Sequence, residues 1–293
     1  MSAVSKNPGP VVWLTACSHG DEVCGIVIIQ ELFRRIRKQL LCGSLYAFPL
    51  MNPVGFETSS RNITLSHEDL NRCFPGDTAG TLGQRIAHHI FTIIMDTSPD
   101  LVLDLHTDWK QSIPYTVLDQ LPDDSCKDSY KKARSLALNT GFVCIQENEK
   151  LPTTLSYNML LHDVPSLTLE LGEPYVINEE NVRYGIDAIR NLLVGRGMML
   201  PNDSATSFPM PEKYRGGKLF KYSDRPYSSK SGIIRFLAKP GDEIKQGEPF
   251  ARIINTFGKH QETLKAAKDA IVLGHSDSSV VFPGMPIMAF ATS

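Results

Sequence analysis

PVVWLTACSHGDEVCGIVIIQELFRRIRKQL, residues 10–40, is the stretch on which the fold assignment turns. Its first seven residues are almost all apolar, as in a strand buried on both faces. From Val23 onward, apolar residues recur at helical spacing. Between the two lies ACSHGDEVCG, a polar turn with His19 and Glu22 three positions apart. Strand, polar turn and helix in that order open an α/β unit, and in such sheets ligands gather beyond the carboxyl ends of the strands. H-x-x-E alone is a weak metal signal. Whether it means anything depends on what the rest of the chain adds.

The same rhythm continues to about residue 200. GSLYAFPL (43–50) reads as a second strand, followed by a polar loop from Asn52 to about Gly80. TLGQRIAHHIFTIIMDT (81–97) reads as a helix and PDLVLDLH (99–106) as a buried strand. KKARSLALNTG (131–141) is helical and closes at Gly141, a C-cap. PSLTLELG (165–172) is another strand, and NEENVRYGIDAIRNLLVGRG (178–197) another helix. The alternation predicts an α/β fold with a mixed, largely parallel sheet and flanking helices. LPNDSATSFPMPEKYRGG (200–217) breaks that rhythm with three prolines. Beyond it, short strand-like pieces alternate with turn signals such as KPGD, KQGE and FPGM, the pattern of a small all-β unit. The expected division is 1–205 for a catalytic domain and 206–293 for a β domain.

A chain of 293 residues accommodates two such domains. A net charge of −2 provides no general attraction for nucleic acid or anionic membranes. MSAVSKNPGP lacks the apolar core of a signal peptide, and no apolar run approaches the roughly 20 residues of a membrane span. The expected location is cytoplasmic, with self-association into a homo-oligomer left open. The six cysteines form no CxxC pair and read as reduced thiols. Cys17 and Cys73 lie near the polar clusters; both read as small apolar fillers, with a reactive thiol as the alternative.

Each unusual polar cluster follows a strand candidate. His19 and Glu22 follow PVVWLTA, Asn52 follows GSLYAFPL, His106 ends PDLVLDLH, and Glu170 ends PSLTLE. Catalytic zinc takes three protein ligands, and two histidines with a glutamate are an established set. His19, Glu22 and His106 provide it. Asp104 points to the same strand face as His106; it either accepts that residue's second N–H or is structural. Glu170 is a carboxylate in apolar surroundings, which raises its pKa and suits a general base. SSRNITLSHEDLNRCFPG (59–76) carries Arg61, Asn71 and Arg72, where arginines could polarise a carbonyl and clamp a carboxylate. A solvated loop is the plain alternative. His67, His162 and Tyr157 could approach the cleft; His88, His89, His260 and His275 have no reading beyond ordinary surface or helix positions.

HGDE (19–22), NPVGF (52–56), Arg61, DLNRCFPG (69–76), DLHT (104–107) and LTLELG (167–172) together, in this order, resemble the succinylglutamate desuccinylase/aspartoacylase family. That family is a branch of the zinc-carboxypeptidase-like fold. The resemblance implies one zinc per chain on His19, Glu22 and His106, with Glu170 as general base and acid. It implies that Arg61 polarises the scissile carbonyl while Asn71 and Arg72 bind the anionic group of a small N-acyl substrate. The implied reaction is hydrolysis of a linear amide to a carboxylate and an amine. True carboxypeptidases have NRNF where this chain has NRCF. The tail from about Ser231 resembles a biotinyl/lipoyl-like β-sandwich, but Lys259 in FGKHQE lacks the neighbours of a modified lysine. A cap over the cleft or an assembly surface is the role expected of it. The competing readings are a metallocarboxypeptidase acting on peptides and a non-catalytic, zinc-containing binding protein.

Overall fold

The computed structural model describes residues 1–36, 39–201, 208–215, 217–276 and 278–293. Its front runs β1 (Ser2–Val4), β2 (Val11–Ala16), α1 (Cys24–Ile36), β3 (Ser44–Phe48), α2 (Pro53–Glu57), α3 (Leu82–Met95) and β4 (Leu101–His106). Next come β5 (Gln111–Ser112), β6 (Tyr115–Leu118), α4 (Lys127–Ala137), β7 (Val143–Gln146), α5 (Leu155–Leu161), β8 (Ser166–Glu170) and α6 (Glu179–Gly195). The tail adds β9 (Phe220–Ser223), β10 (Gly232–Phe236), β11 (Glu243–Ile244), β12 (Pro249–Ile254), β13 (His260–Lys265), β14 (Ala270–His275), β15 (Val280–Val281) and β16 (Met288–Thr292).

Strands β3, β2, β4 and β8 lie side by side and parallel. β2 and β4 are buried on both faces because their alternate residues serve two cores, whereas β8 turns Leu167 and Leu169 to one core and Thr168 and Glu170 to the cleft. Val12, Leu14, Ala16, Leu101, Leu103 and Leu105 pack with α1 and α6, whereas Trp13 and Val102 pack with α3 and α5. That explains why β2 and β4 read as unbroken apolar runs. The helices lie on both faces because the crossovers from β2 to β3 through α1 and from β3 back past β2 to β4 through α3 run in opposite directions, and right-handed crossovers then lie on opposite sides. The order reverses at β2, which puts a crevice at its carboxyl end. Helix α3 starts where Thr81 and Gln84 form a reciprocal capping box.

Beyond β8 the sheet departs from the expected regularity. β6 runs antiparallel to β8, and β7 runs parallel to β6. Neither strand, nor α5, was apparent from periodicity: each strand has four residues, too few for a pattern to show. The polar loop 52–80 also contains structure. Asn52 caps the short helix α2, and Asp69 caps a single 3-10 turn at Leu70–Arg72. Both are held by side-chain-to-backbone bonds, which leave no hydrophobic period.

Part of the tail joins the sheet of the front. β9 adds in parallel to β7, and β16, β14 and β11 extend the same sheet. β13, β12, β10 and β15 form a second, four-stranded sheet. An apolar layer including Ile234, Phe250, Ile253, Leu264, Val272 and Phe290 fills the space between the two. The expected boundary at 205/206 falls within residues 202–207, outside the described residues. Among the described residues, no helix is long and apolar enough to cross a membrane.

Candidate metal centre and its cleft

β2 ends at Ala16 and the chain turns at once, with Cys17 at a φ of 55°. At Gly20 a Cβ would lie 1.9 Å from the Gly55 carbonyl carbon, so only glycine allows this turn to press against α2. Asn52 then ties three segments together. Its Oδ1 accepts the Gly55 N–H at 2.8 Å, and its Nδ2 donates to Ser18 O at 3.2 Å and Arg61 O at 3.5 Å. The HGDE turn, the NPVGF helix and the Arg61 loop are one assembly.

His19 Nδ1 lies 2.6 Å from Glu22 Oε1, and His106 Nδ1 lies 2.8 Å from Glu22 Oε2. All three residues are buried, and one ligand atom from each falls within 4.8 Å of the others. The outer nitrogens are engaged by carboxylates: His19 Nε2 with Asp69 Oδ1 at 3.0 Å, and His106 Nε2 with Asp104 Oδ2 at 2.9 Å. Thr15 Oγ1 steadies Asp104 from behind at 2.7 Å. The carboxylate on each Nε2 would hold the proton there when a cation takes Nδ1. Burial disfavours charge on both imidazoles, but Glu22 with Asp69 or Asp104 more than offsets it and holds both above the ordinary histidine range. Burial alone would raise the Glu22 carboxyl, yet the two imidazoles hold it well below its usual range. Two imidazole nitrogens and one Glu22 oxygen, backed by Asp69 and Asp104 on the outer nitrogens, are a donor set for a divalent cation, and the group could hold one.

Glu170 sits beside this centre by strand register. It is paired with His106 across β4 and β8, and with Tyr115 across β8 and β6. Its Oε2 is buried with no hydrogen-bond partner. Burial first, then the charge of Asp108, push its carboxyl well above the ordinary glutamate range. The Tyr115 hydroxyl donates to Asp108.

Arg61 reaches in from the loop, pairing with Asp69 Oδ2 at 3.0 Å and lying 3.6 Å from Glu22 Oε1. Asn71 Nδ2 is 3.3 Å from His106 Nε2, and its Oδ1 accepts the Leu155 N–H at 3.0 Å, joining the loop to α5. Arg72 is exposed and donates to Asn71 O at 3.0 Å. His19, Glu22, Arg61, Asn71, Arg72, His106 and Glu170 all line one cavity of about 310 Å³. His67, His162 and Tyr157 are not among its lining residues. His162 instead bonds Asn158 O and packs on Phe91. All six cysteines are free; burial pushes the Cys17 thiol up to about 12 and the Cys73 thiol up to about 11, which keeps both protonated.

Other lining residues carried no signal in the sequence. Asp69, just behind the lining, accepts the Asn71 N–H at 2.9 Å and meets His19 only through the tertiary fold. Asp119 and Glu147 follow strands too short to recognise, and Tyr222 comes from the tail strand β9. The tail thus supplies a wall of the cleft.

The succinylglutamate desuccinylase/aspartoacylase catalytic-domain model matches residues 8–196, well over half of the chain. An N-alpha-acetyl-L-2,4-diaminobutyric acid deacetylase of Halomonas elongata is 25% identical over 300 residues, covering 99% of this chain and 84% of that protein. The product-bound ectoine utilization protein EutE (DoeB) of Ruegeria pomeroyi superposes with a TM-score of 0.80 at 20% identity, covering all of this chain and 88% of the other. A succinylglutamate desuccinylase/aspartoacylase of Rhodobacter sphaeroides gives the same TM-score at 24% identity, covering 98% and 87%. These structures share the mixed α/β fold. With its HGDE turn, DLNR loop, DLHT strand and strand-end Glu170 gathered around one cleft, the chain belongs to the succinylglutamate desuccinylase/aspartoacylase family of deacylases.

Proposed function

We propose that this protein is a zinc-dependent hydrolase that cleaves the amide bond of a small N-acylated amino acid or related N-acyl amine. The observation that carries the reading is the register pairing of Glu170 with His106, which sets an unpartnered carboxyl oxygen beside a buried His–Glu–His group. His19 Nδ1, a Glu22 oxygen and His106 Nδ1 would hold the ion. Bound zinc supplies Lewis acidity for the scissile carbonyl and the attacking water. Glu170 takes the proton of that water and hands it to the departing amine, giving one carboxylate and one amine per amide. Its raised pKa fits both halves of the task. Arg61, beside Glu22, polarises the carbonyl oxygen in this reading, and Asn71 and Arg72 bind an anionic group of the substrate. A cavity of about 310 Å³ is at the small end of ligand sites and suits a single acylated amino acid better than a polypeptide.

The deciding experiment offers the zinc-loaded protein a panel of N-acylated amino acids alongside short peptides with free carboxyl termini. Turnover of acyl amino acids is expected. Turnover confined to peptides would overturn the proposal in favour of a carboxypeptidase, and no zinc-dependent turnover of either would favour a binding protein.

Arg72→Met should weaken transition-state binding of a carboxylate-bearing substrate by about 1.5–3 kcal/mol, the scale of a charged hydrogen bond. The loss should largely vanish when that carboxylate is replaced by a neutral amide. Equal kcat/KM losses for both substrates would give Arg72 another task. Asp104→Asn should lower zinc affinity about 10–100-fold through His106, since such outer carboxylates commonly contribute that much. Competition with a chelator measures it; an unchanged affinity would make Asp104 structural only.

A further inference from the structure

The cavity extends well past the metal centre, along one face of the sheet. Side chains two apart on a strand share a face, so Tyr115, Val117 and Asp119 line up from β6. Ile145 and Glu147 do the same from β7, and Thr168 and Glu170 from β8; all seven line the cavity. Because β6 is antiparallel to β8, Tyr115 stands beside Glu170 whereas Asp119 lies about 14 Å farther along, four residues at about 3.4 Å each. Leu118 pairs with Gln146, so Asp119 and Glu147 come next to each other at the far end.

Among the described residues, no lysine or arginine forms an ion pair with the two carboxyl groups at that far end. Asp119 is only 5% exposed and its charged neighbours are Glu147 and Asp104, both acidic. Burial, opposed by a hydrogen bond from Ser156 and reinforced by Glu147 and Asp104, pushes its carboxyl up to about 7. Lys150, the basic residue closest in sequence, donates its ammonium to Pro122 O at 2.7 Å. One Glu147 oxygen accepts the Asn148 N–H at 2.8 Å. Elsewhere on the same cavity wall, Thr107 is 5% exposed and its buried hydroxyl has no partner. A buried polar group left unpaired in a cleft marks a place for a ligand's polar atoms, and a buried carboxylate gains most from a cation.

We propose that Asp119 and Glu147 form an ammonium-recognising wall, so that the amide this cleft takes carries a free cationic amine at the end away from the scissile bond. This rests on the deacylase reading of the same cavity and deepens it: with Arg72 at the mouth, the preferred substrate is zwitterionic rather than simply anionic. Asp119 and Glu147 are specificity-determining residues, remote from the reacting atoms.

Two matched pairs of probes test it. Nα-acetyl-2,4-diaminobutyrate and Nα-acetylornithine carry an ammonium; Nα-acetylnorvaline and Nα-acetylnorleucine place a methyl at the same position. Their deacylated amino acids serve as binding probes in calorimetry with zinc-loaded protein, independently of turnover. Wild type should prefer at least one ammonium probe over its isostere by about 10–100-fold, the range of a charged hydrogen bond. Asp119→Asn and the more open Glu147→Gln should each reduce that preference and leave the methyl probes unaffected, with unchanged thermal melting showing that the fold is kept. No ammonium preference in wild type, a preference that survives in the double variant, or no binding of any probe would overturn the wall. Hydrolysis of every acetyl compound without preference would sink the wall and leave the deacylase reading standing. An ammonium preference in binding with no hydrolysis would do the reverse.

Discussion

Glu170→Gln protein should keep its zinc and its affinity for substrate, and turn over about 10²–10⁴-fold more slowly, the usual contribution of a positioned general base. The geometry separates the functions. Glu170 is not among the ligand atoms gathered within 4.8 Å, which come from His19, Glu22 and His106. Glutamine keeps the shape of the side chain and removes its capacity to accept the proton. Glu170 Oε2 has no hydrogen-bond partner, so the substitution breaks no hydrogen bond of that atom. The loss should therefore appear in kcat and scarcely in KM, as expected for an interaction made in the transition state. Zinc content, substrate affinity and kcat measured on one preparation settle the matter. Near-normal kcat with full zinc would remove Glu170 from the mechanism.

His19→Ala and His106→Ala should each lose zinc after mild chelation, and activity should fall with it. Two remaining ligands hold the ion poorly, because affinity depends on a complete first set of donors. The two variants should differ in stability. Removing His106 strands Asp104, which is fully buried, and a buried charge that loses its partner costs about 3–5 kcal/mol. Removing His19 leaves Asp69 with Arg61 at 3.0 Å, so less is lost. Elemental analysis and thermal melting follow both effects. Full zinc in both chelated variants would eliminate the proposed site, and equal melting temperatures would refute the stranded-carboxylate argument. His106→Gln, which retains a donor for Asp104, keeps the metal test readable if the alanine variant fails to fold.

Long apolar runs and long helical periods were legible in the sequence, and so were the strand ends they define. Val11–Ala16 and Leu101–His106 serve two buried faces, and that demand is written into consecutive residues, while Ser166–Glu170 shows its one apolar face in Leu167 and Leu169. Polar residues that end such runs stand out against them. Hence His19, Glu22, His106 and Glu170 could be named from sequence, and the structure brings them to one cavity. Arg61, Asn71 and Arg72 reach the same cavity from a loop whose order comes from caps at Asn52 and Asp69 rather than from any period.

By itself, then, the sequence determined the α/β class, the parallel strands and the polar groups at their carboxyl ends, because burial on a regular element imposes a local pattern. Only the tertiary structure decided which carboxylate faces which imidazole. The Asp69–His19 bond joins residues 50 apart, and local sequence carries no record of such a contact. It also decided that β6 runs against β8. That reversal carries Asp119 away from Glu170 to the far end of the cleft, where a rule about carboxyl ends of parallel strands would not look. Strand direction and pairing are set by how distant segments close over a shared core, and no window of neighbouring residues contains that information.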